Sequence, residues 1–431
     1  MSELALLGGS PVRAKPFAPW PKYLPSDLER VRCVIESRHW GGYPMPSRYA
    51  AGFADKFAAM HGAKYGLCVA NGTIALVAAL NAAGIRFGDE VIVPAYTWDG
   101  TATAVLFAGG VPVFADVDPE TYSLTAETAR AVLTPRTRAL LPVHLAMRFA
   151  DMDGLMALAA ERNLKIVEDC AHAHGGQYRG RGAGSMGDVG CFSLQESKLM
   201  TAGEGGIVIT SDLRMFEHLQ SQTNCGRASM TDQFDQRVVG ANYRMTDLQA
   251  ALLIGQLEMW PELAARRERS AAKLSAALAS IPGVQPLKAQ PEITRSAIYC
   301  YVFKYTPAQA GVSRDLFAAA LEAEGIPCDG RFYEPVYRSD LFHVSPENCP
   351  QLKQDYSKVR CPVSERAAYE ESVWLPQFLL IGESRDVDDV IAGVEKVLRH
   401  VDELRKADPS LAGLKAMSRA ERPRHQRAQN Y

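Results

Sequence analysis

The chain is predicted to be an α/β protein: a largely parallel sheet covered by helices on both faces, followed by a smaller α+β domain. Two observations predict this. From Lys64 to Glu168, short and nearly all-apolar runs alternate with helical stretches, which is how strands buried on both faces read. After Pro282-Gly283 the pattern gives way to an aromatic run and mixed elements. At 431 residues the chain is also long for a single domain.

The elements follow in order. Residues 1–25 carry Gly8, Gly9 and five prolines (Pro11, Pro16, Pro19, Pro21, Pro25), which predict an irregular arm. Leu28 to Ser37 and Tyr49 to His61 have helical spacing. Strands are expected at Tyr65–Ala70, Glu90–Pro94, Val111–Ala115, Ala139–His144, Leu164–Glu168, Asp188–Phe192 and Ile207–Thr210. Helices are expected after Asn71-Gly72-Thr73, over Gly100–Ala108, over Thr125–Leu133 and over Met152–Asn163. Two long helices, 242–257 and 263–279, are expected on either side of Pro261. The arm, then, is 1–25, the large domain 26–283 and the small domain 284–405. The small domain has an aromatic strand at Ala297–Phe303, helices at Arg314–Glu324 and Val387–His400, and a strand at Val373–Leu375. Residues 406–431 are polar and arginine-rich, and they predict a disordered tail.

Composition narrows the function. Hydrophobic residues make up 47% and charged residues 22%, as in ordinary globular proteins. A net charge of −2 leaves no electrostatic footprint for nucleic acid or a membrane surface. Nine scattered cysteines with no C-x-x-C pair argue against a disulfide framework or a zinc site and for a reducing compartment. The N-terminus lacks a basic leader with an apolar core, and no run reaches membrane-spanning length, so the expected location is the cytoplasm.

Candidate functional residues cluster at the carboxyl ends of predicted strands, where open α/β sheets bind ligands. Lys198 lies in S-L-Q-E-S-K-L-M-T-A-G-E-G-G (193–206) between two strands; a partly buried lysine loses its proton readily, as a Schiff-base lysine must. Asn71-Gly72-Thr73 opens a helix, and its amides and hydroxyl make a phosphate seat to which Ser193 adds a second hydroxyl. Asp169 ends the run L-K-I-V-E-D, and a carboxylate that deep needs a cation such as a protonated pyridine nitrogen. Glu168 points to the other face of that strand. Trp98 can stack on a flat ring. His172 and His174 sit close by; with no third ligand they do not make a metal site. His144 is a further candidate on the substrate side.

With these motifs in hand, the chain resembles the DegT-type, fold-type I pyridoxal-phosphate aminotransferases that act on keto-sugars and keto-cyclitols. The resemblance runs from L-G-G-S-P-V-R (7–13) to about His400. It implies a mostly parallel seven-stranded sheet and pyridoxal 5′-phosphate as cofactor. It further implies Lys198 as the Schiff-base lysine that also moves the proton, and Asp169 as partner of the ring nitrogen. His172 would sit beside the phenolic oxygen and Trp98 on the ring, with Gly72, Thr73 and Ser193 around the phosphate. Asn242, in G-A-N-Y-R-M, would reach that phosphate across the interface of a homodimer.

V-H-L-A-M-R-F-A-D-M-D and S-K-L-M-T-A-G-E-G-G point toward L-glutamine:scyllo-inosose aminotransferases and 3-amino-5-hydroxybenzoate synthases. The implied reaction is ping-pong transfer from L-glutamine or L-glutamate to a keto-cyclitol or keto-sugar, in aminocyclitol antibiotic or other secondary-metabolite biosynthesis. The alternatives are a nucleotide-sugar aminotransferase, with Arg148, Arg244 and Arg331 as candidate diphosphate contacts, and an aminobenzoate-forming dehydratase. A non-catalytic relative is opposed by the intact lysine–aspartate pair. Leu194 departs from a phenylalanine common in the family, and Glu196 and Ala146-Met147 depart on the expected substrate side.

Overall fold

A computed structural model describes residues 2–43, 47–227 and 238–407. Most of the tail expected at 406–431, from residue 408 on, lies outside the described residues. The large sheet contains β1 (Tyr65–Val69), β2 (Glu90–Pro94), β3 (Val111–Ala115), β4 (Thr137–Leu140) and β5 (Lys165–Asp169). After β6 (Gln177–Tyr178) and β7 (Arg181–Gly182), which leave it, β8 (Val189–Ser193) and β9 (Gly206–Thr210) complete it. The strand order is β1-β9-β8-β5-β4-β2-β3. Strands β2, β3, β4, β5 and β8 run parallel. β9 is antiparallel to both neighbours, because the hairpin carrying Lys198 returns the chain directly beside β8.

Helices α1 (Pro25–Ser37) and α2 (Arg48–His61) precede the sheet, and α3 (Gly72–Ala82), α4 (Asp99–Phe107), α5 (Ala126–Arg130) and α6 (Met152–Arg162) are its crossovers. α7 (Leu213–Thr223) follows β9. α3 buries six consecutive residues, Ala75 to Leu80, so it is enclosed on all sides and its N-terminus is held rigidly at the sheet edge. Asn71 starts it: its side chain accepts the Ile74 amide at 2.9 Å.

Three expectations are corrected. The break at Pro261 does not occur, and α8 is one helix, Asp247–Leu278, running through the proline. A mid-helix proline costs about 3 kcal/mol, but Pro261 is exposed while Leu253, Trp260, Ala264, Ala271 and Leu274 keep a buried stripe on both sides of it. Tertiary burial outweighs the local penalty. The strand expected to reach His144 ends at Leu140, after which only an isolated bridge, Val143 to Asp169, continues the pairing. The helix expected over Thr125–Leu133 is the short α5, and α7 was not anticipated at all.

The second sheet, β10-β12-β13, is antiparallel and joins β10 (Val284–Pro286), β12 (Cys300–Tyr305) and β13 (Ser372–Pro376). β11 (Ile293–Arg295) instead pairs with β6. Helices α9 (Pro307–Ala310), α10 (Arg314–Ala323), α11 (Pro362–Arg366), α12 (Ser384–Arg399) and α13 (Val401–Lys406) complete this region. α12 turns Val387, Val390, Val394 and Val397 inward at helical spacing.

The N-terminal arm is tied to this second region. Glu324, fully buried, accepts the amides of Ala5 at 2.9 Å and Val12 at 3.0 Å and the Lys396 ammonium at 2.8 Å. Arg13 pairs with Asp386 at 2.8 Å and Asp389 at 2.7 Å. Glu324→Ala would strand the lysine and two amides, so a loss of about 3 kcal/mol is expected in urea unfolding. Proteolysis should then begin within residues 2–24; an unchanged midpoint and an intact arm would contradict the role given to Glu324.

Candidate active site

The carboxyl ends of β1, β2, β5 and β8 open into one cavity of about 900 Å³. It is lined by Gly72, Thr73, Trp98, Asp169, His172, Ser193 and Lys198, all the residues to which the family resemblance gives a cofactor role except Asn242.

Asp169 lies at its floor, 5% exposed. Its Oδ2 accepts the Thr101 hydroxyl at 2.8 Å and its Oδ1 the Ala171 amide at 3.1 Å. Burial pushes its pKa above the ordinary carboxylate value, since two neutral donors do not compensate for lost water. Lys198 stands across the cavity with its Nζ 4.4 Å from the centre of the Tyr299 ring. The hairpin that carries it is closed by Leu194 N to Gly205 O and Glu196 N to Gly203 O, both 2.8 Å, and turns through Gly203 at φ +80°. Outside contacts brace it: the Trp20 indole donates to the Glu196 carbonyl at 2.9 Å, and the hydroxyls of Ser197 and Tyr299 bond at 2.9 Å.

At the opposite end, the first turn of α3 meets Ser193. A side-chain Cβ at Gly72 would sit 2.7 Å from Ser193 Cβ, so only glycine lets the serine hydroxyl approach the helix N-terminus. The hydroxyls of Thr73 and Ser193 and the positive end of α3 suit a phosphate. His172 stacks on Tyr299, ring centres 4.0 Å apart; its Nδ1 accepts the Ala146 amide at 3.2 Å and its Nε2 faces the Tyr333 hydroxyl at 3.2 Å. Trp98, 51% exposed, lies at the opening, 6.2 Å from the Tyr333 ring. A flat, cationic ring bearing a phosphate and an aldehyde, as in pyridoxal phosphate, fits these groups: the buried carboxylate at one end, the hydroxyl-lined helix terminus at the other, the lysine between walls of aromatic rings.

Other candidates fall elsewhere. His144 does not line the cavity; its Nε2 donates to Glu168 at 2.9 Å beneath the sheet. Glu168 also accepts the amides of Gly184 and Met186, each at 2.8 Å, and of Gly187 at 2.6 Å. Burial raises its pKa, but the His144 and amide bonds outweigh that and hold it below the ordinary value. Cys170 completes a metal-like cluster with this pair, yet the bonds to Glu168 already account for its oxygens, and burial pushes the thiol far up. His174 is structural: burial lowers its pKa to about 3, and the neutral ring donates from Nε2 to the Ser193 carbonyl at 2.8 Å.

Glu196 is exposed and outside the cavity, because alternate residues of the hairpin face opposite ways; Gln195 and Ser197 line it instead. Arg148 is committed to the carbonyls of Leu287 and Lys288, each at 2.7 Å, and Arg244 to Asn224 at 2.8 Å, so of the three arginines considered only Arg331 lines the cavity. Asn242 is exposed and bridged to Asn224, away from this chain's own cavity. Sequence reasoning missed Thr101, Tyr299, Tyr333 and Glu334. Thr101, three residues after Trp98 and one helical turn on, was the one with a usable spacing signal.

No helix among the described residues is long and apolar enough to cross a membrane. A profile of the DegT/DnrJ/EryC1/StrS aminotransferase family matches residues 25–395. A protein of Streptoalloteichus tenebrarius, provisionally named L-glutamine:3-amino-2,3-dideoxy-scyllo-inosose aminotransferase, is 45% identical over 94% of this chain and 100% of its own. The L-glutamine:2-deoxy-scyllo-inosose aminotransferase of the same organism is 35% identical over 94% of this chain and 99% of its own. The crystal structure of 3-amino-5-hydroxybenzoic acid synthase superposes with a TM-score of 0.80 at 31% identity, covering 91% of this chain and 100% of that one. The chain belongs to the DegT/DnrJ/EryC1/StrS family, and it is a pyridoxal-phosphate-dependent aminotransferase of fold type I.

Proposed function

We propose that the enzyme transfers an amino group from L-glutamine to a keto-cyclitol of the scyllo-inosose kind, in aminocyclitol antibiotic biosynthesis. The carrying observation is the charge of the cavity. Among the described residues it is lined, besides Asp169, by four carboxyl residues, Asp99, Glu204, Glu334 and Asp340, against one arginine, Arg331, and the cofactor lysine Lys198. A nucleotide diphosphate asks for several cations. A polyhydroxy ketone, with or without an amino substituent, finds acceptors for its hydroxyl and ammonium protons here. The printed activities of the two Streptoalloteichus tenebrarius relatives support the same acceptor and donor.

Pyridoxal phosphate, when bound, supplies the electron sink for a carbanion next to nitrogen. Around it we assign these roles. Asp169, held by Thr101 and short of a cation, keeps the ring nitrogen protonated. Lys198 carries the cofactor and moves the proton at the α-carbon, its hairpin fixed by the brace from Trp20 and by Ser197. Gly72, Thr73 and Ser193 hold the phosphate, Trp98 covers the ring, and His172 orients it beside Tyr299. Asn242 serves the partner's site in a homodimer. Its exposure supports this, as do the solvent-facing Leu28, Ile35 and Trp40 in and just after α1. A cytoplasmic location fits nine cysteines with no disulfide.

Two outcomes are expected. With L-glutamine as donor, a scyllo-inosose ketone should be aminated at least about a hundredfold faster than a nucleotide-linked keto-sugar; the reverse preference would overturn the assignment. Borohydride should fix the cofactor on Lys198, and Lys198→Ala protein should lack transaminase activity. Mixed with inactive Asn242→Ala protein, it should regain part of that activity, because hybrid dimers hold one complete site. Activity in Lys198→Ala alone would sink the first role, and no recovery on mixing would sink the shared site.

A further inference from the structure

Asp99 follows Trp98 directly and opens α4, so it stands in the cavity wall beside the ring assigned to cover the cofactor. An acid in the first turn of a helix is ordinary, because the helix dipole favours it there. That accounts for the residue type but not for its surroundings. Asp99 is only 9% exposed, and its Oδ1 is buried with no hydrogen-bond partner among the described residues. Burial raises the pKa of the carboxyl; hydrogen bonds from the Ser339 side chain and from its own amide pull the other way, and no cation helps them. Asp169 is in a similar condition, but its counter-charge is the ring nitrogen. For Asp99 the cofactor offers nothing.

The cavity wall does not supply a cation either. Among the described residues that line it, Lys198 and Arg331 are the only lysine and arginine. Lys198 carries the cofactor, and Arg331 is paired with Glu334 at 3.7 Å and Asp315 at 4.0 Å. A buried carboxylate oxygen without a partner costs free energy that an incoming cation recovers. Asp340, exposed and lining the same cavity, adds to the negative charge such a cation would meet on entry.

We propose that Asp99 binds a protonated amine on the ketone, which makes the preferred acceptor an amino-substituted keto-cyclitol rather than its all-hydroxyl analogue. This rests on the acceptor being a keto-cyclitol. An ammonium brings three donors and a full charge to the unpaired oxygen. A hydroxyl at the same ring carbon brings one donor and no charge, so it recovers less.

The test uses enzyme loaded with pyridoxamine phosphate, so that no amino donor is needed, and follows the gain of cofactor-aldehyde absorbance. Two ketones are compared: a scyllo-inosose ketone bearing one ring amine, and the same ketone with a hydroxyl at that carbon. Wild type should prefer the amine by roughly thirtyfold in kcat/KM, as one charge-assisted hydrogen bond in place of a neutral one provides. In Asp99→Asn, which keeps the shape and removes the charge, the preference should shrink to within about threefold. Asp99→Ser, also suited to a helix start, should behave the same way and serves if the asparagine variant fails to fold. A variant that slows both ketones alike and keeps the preference would reveal a structural role and overturn the proposal. A wild type that aminates both ketones equally, or favours the hydroxyl, would overturn it without any variant and leave the keto-cyclitol reading standing. A wild type that aminates neither would overturn that reading and this inference with it.

Discussion

The site depends on one unfavourable act, the burial of the Asp169 carboxylate at the end of β5. Removing an ionised carboxyl from water costs several kcal/mol unless a cation compensates, and among the described residues its hydrogen bonds come from two neutral donors, the Thr101 hydroxyl and the Ala171 amide. Glu168, its neighbour on the same strand, shows the contrast. It is buried as deeply, yet three amides and His144 satisfy it and hold it ionised. One carboxylate is finished by the fold, and the other is left for a ligand with a positive ring nitrogen.

Everything else places groups at fixed separations from that carboxylate. Parallel strands β2, β5 and β8 end on the same side, so Trp98, Asp169 and Ser193 converge without long loops. α3, apolar on all sides, is seated firmly enough for its first turn to act as one wall of a phosphate cup. The hairpin bearing Lys198 is held from outside by two regions distant in sequence, Trp20 of the arm and Tyr299 just before β12. Since Glu324 and Arg13 tie the arm to the second region, the lysine's position is coupled to the packing of both.

Much of this was legible in the chain. Gly72, Thr73, Trp98, Asp169, Ser193 and Lys198 each follow an apolar strand by a few residues, and strand ends can be read from hydropathy. Where tertiary contacts decide, the reading failed. Tyr333 and Tyr299 reach the cavity through contacts between segments far apart in the chain, such as their approach to His172 and the bridge from Tyr96 to Pro335, and no local spacing encodes that. Glu196 was misjudged because proximity to Lys198 in sequence does not say which face of a hairpin a side chain takes. His144 was misjudged because its partner, Glu168, lies on the neighbouring strand and draws it under the sheet. Pro261 breaks helices in isolation; here a buried stripe on both sides of it carries α8 through.

The central claim is that Asp169 is completed by a protonated ring nitrogen. It is tested most directly by ¹⁵N NMR of ring-labelled pyridoxal phosphate bound to the wild-type enzyme. The account predicts the chemical shift of a pyridinium at neutral pH, lost to that of a neutral pyridine in Asp169→Asn. A neutral-pyridine shift in the wild type, or a pyridinium shift unaffected by Asp169→Asn, would contradict it.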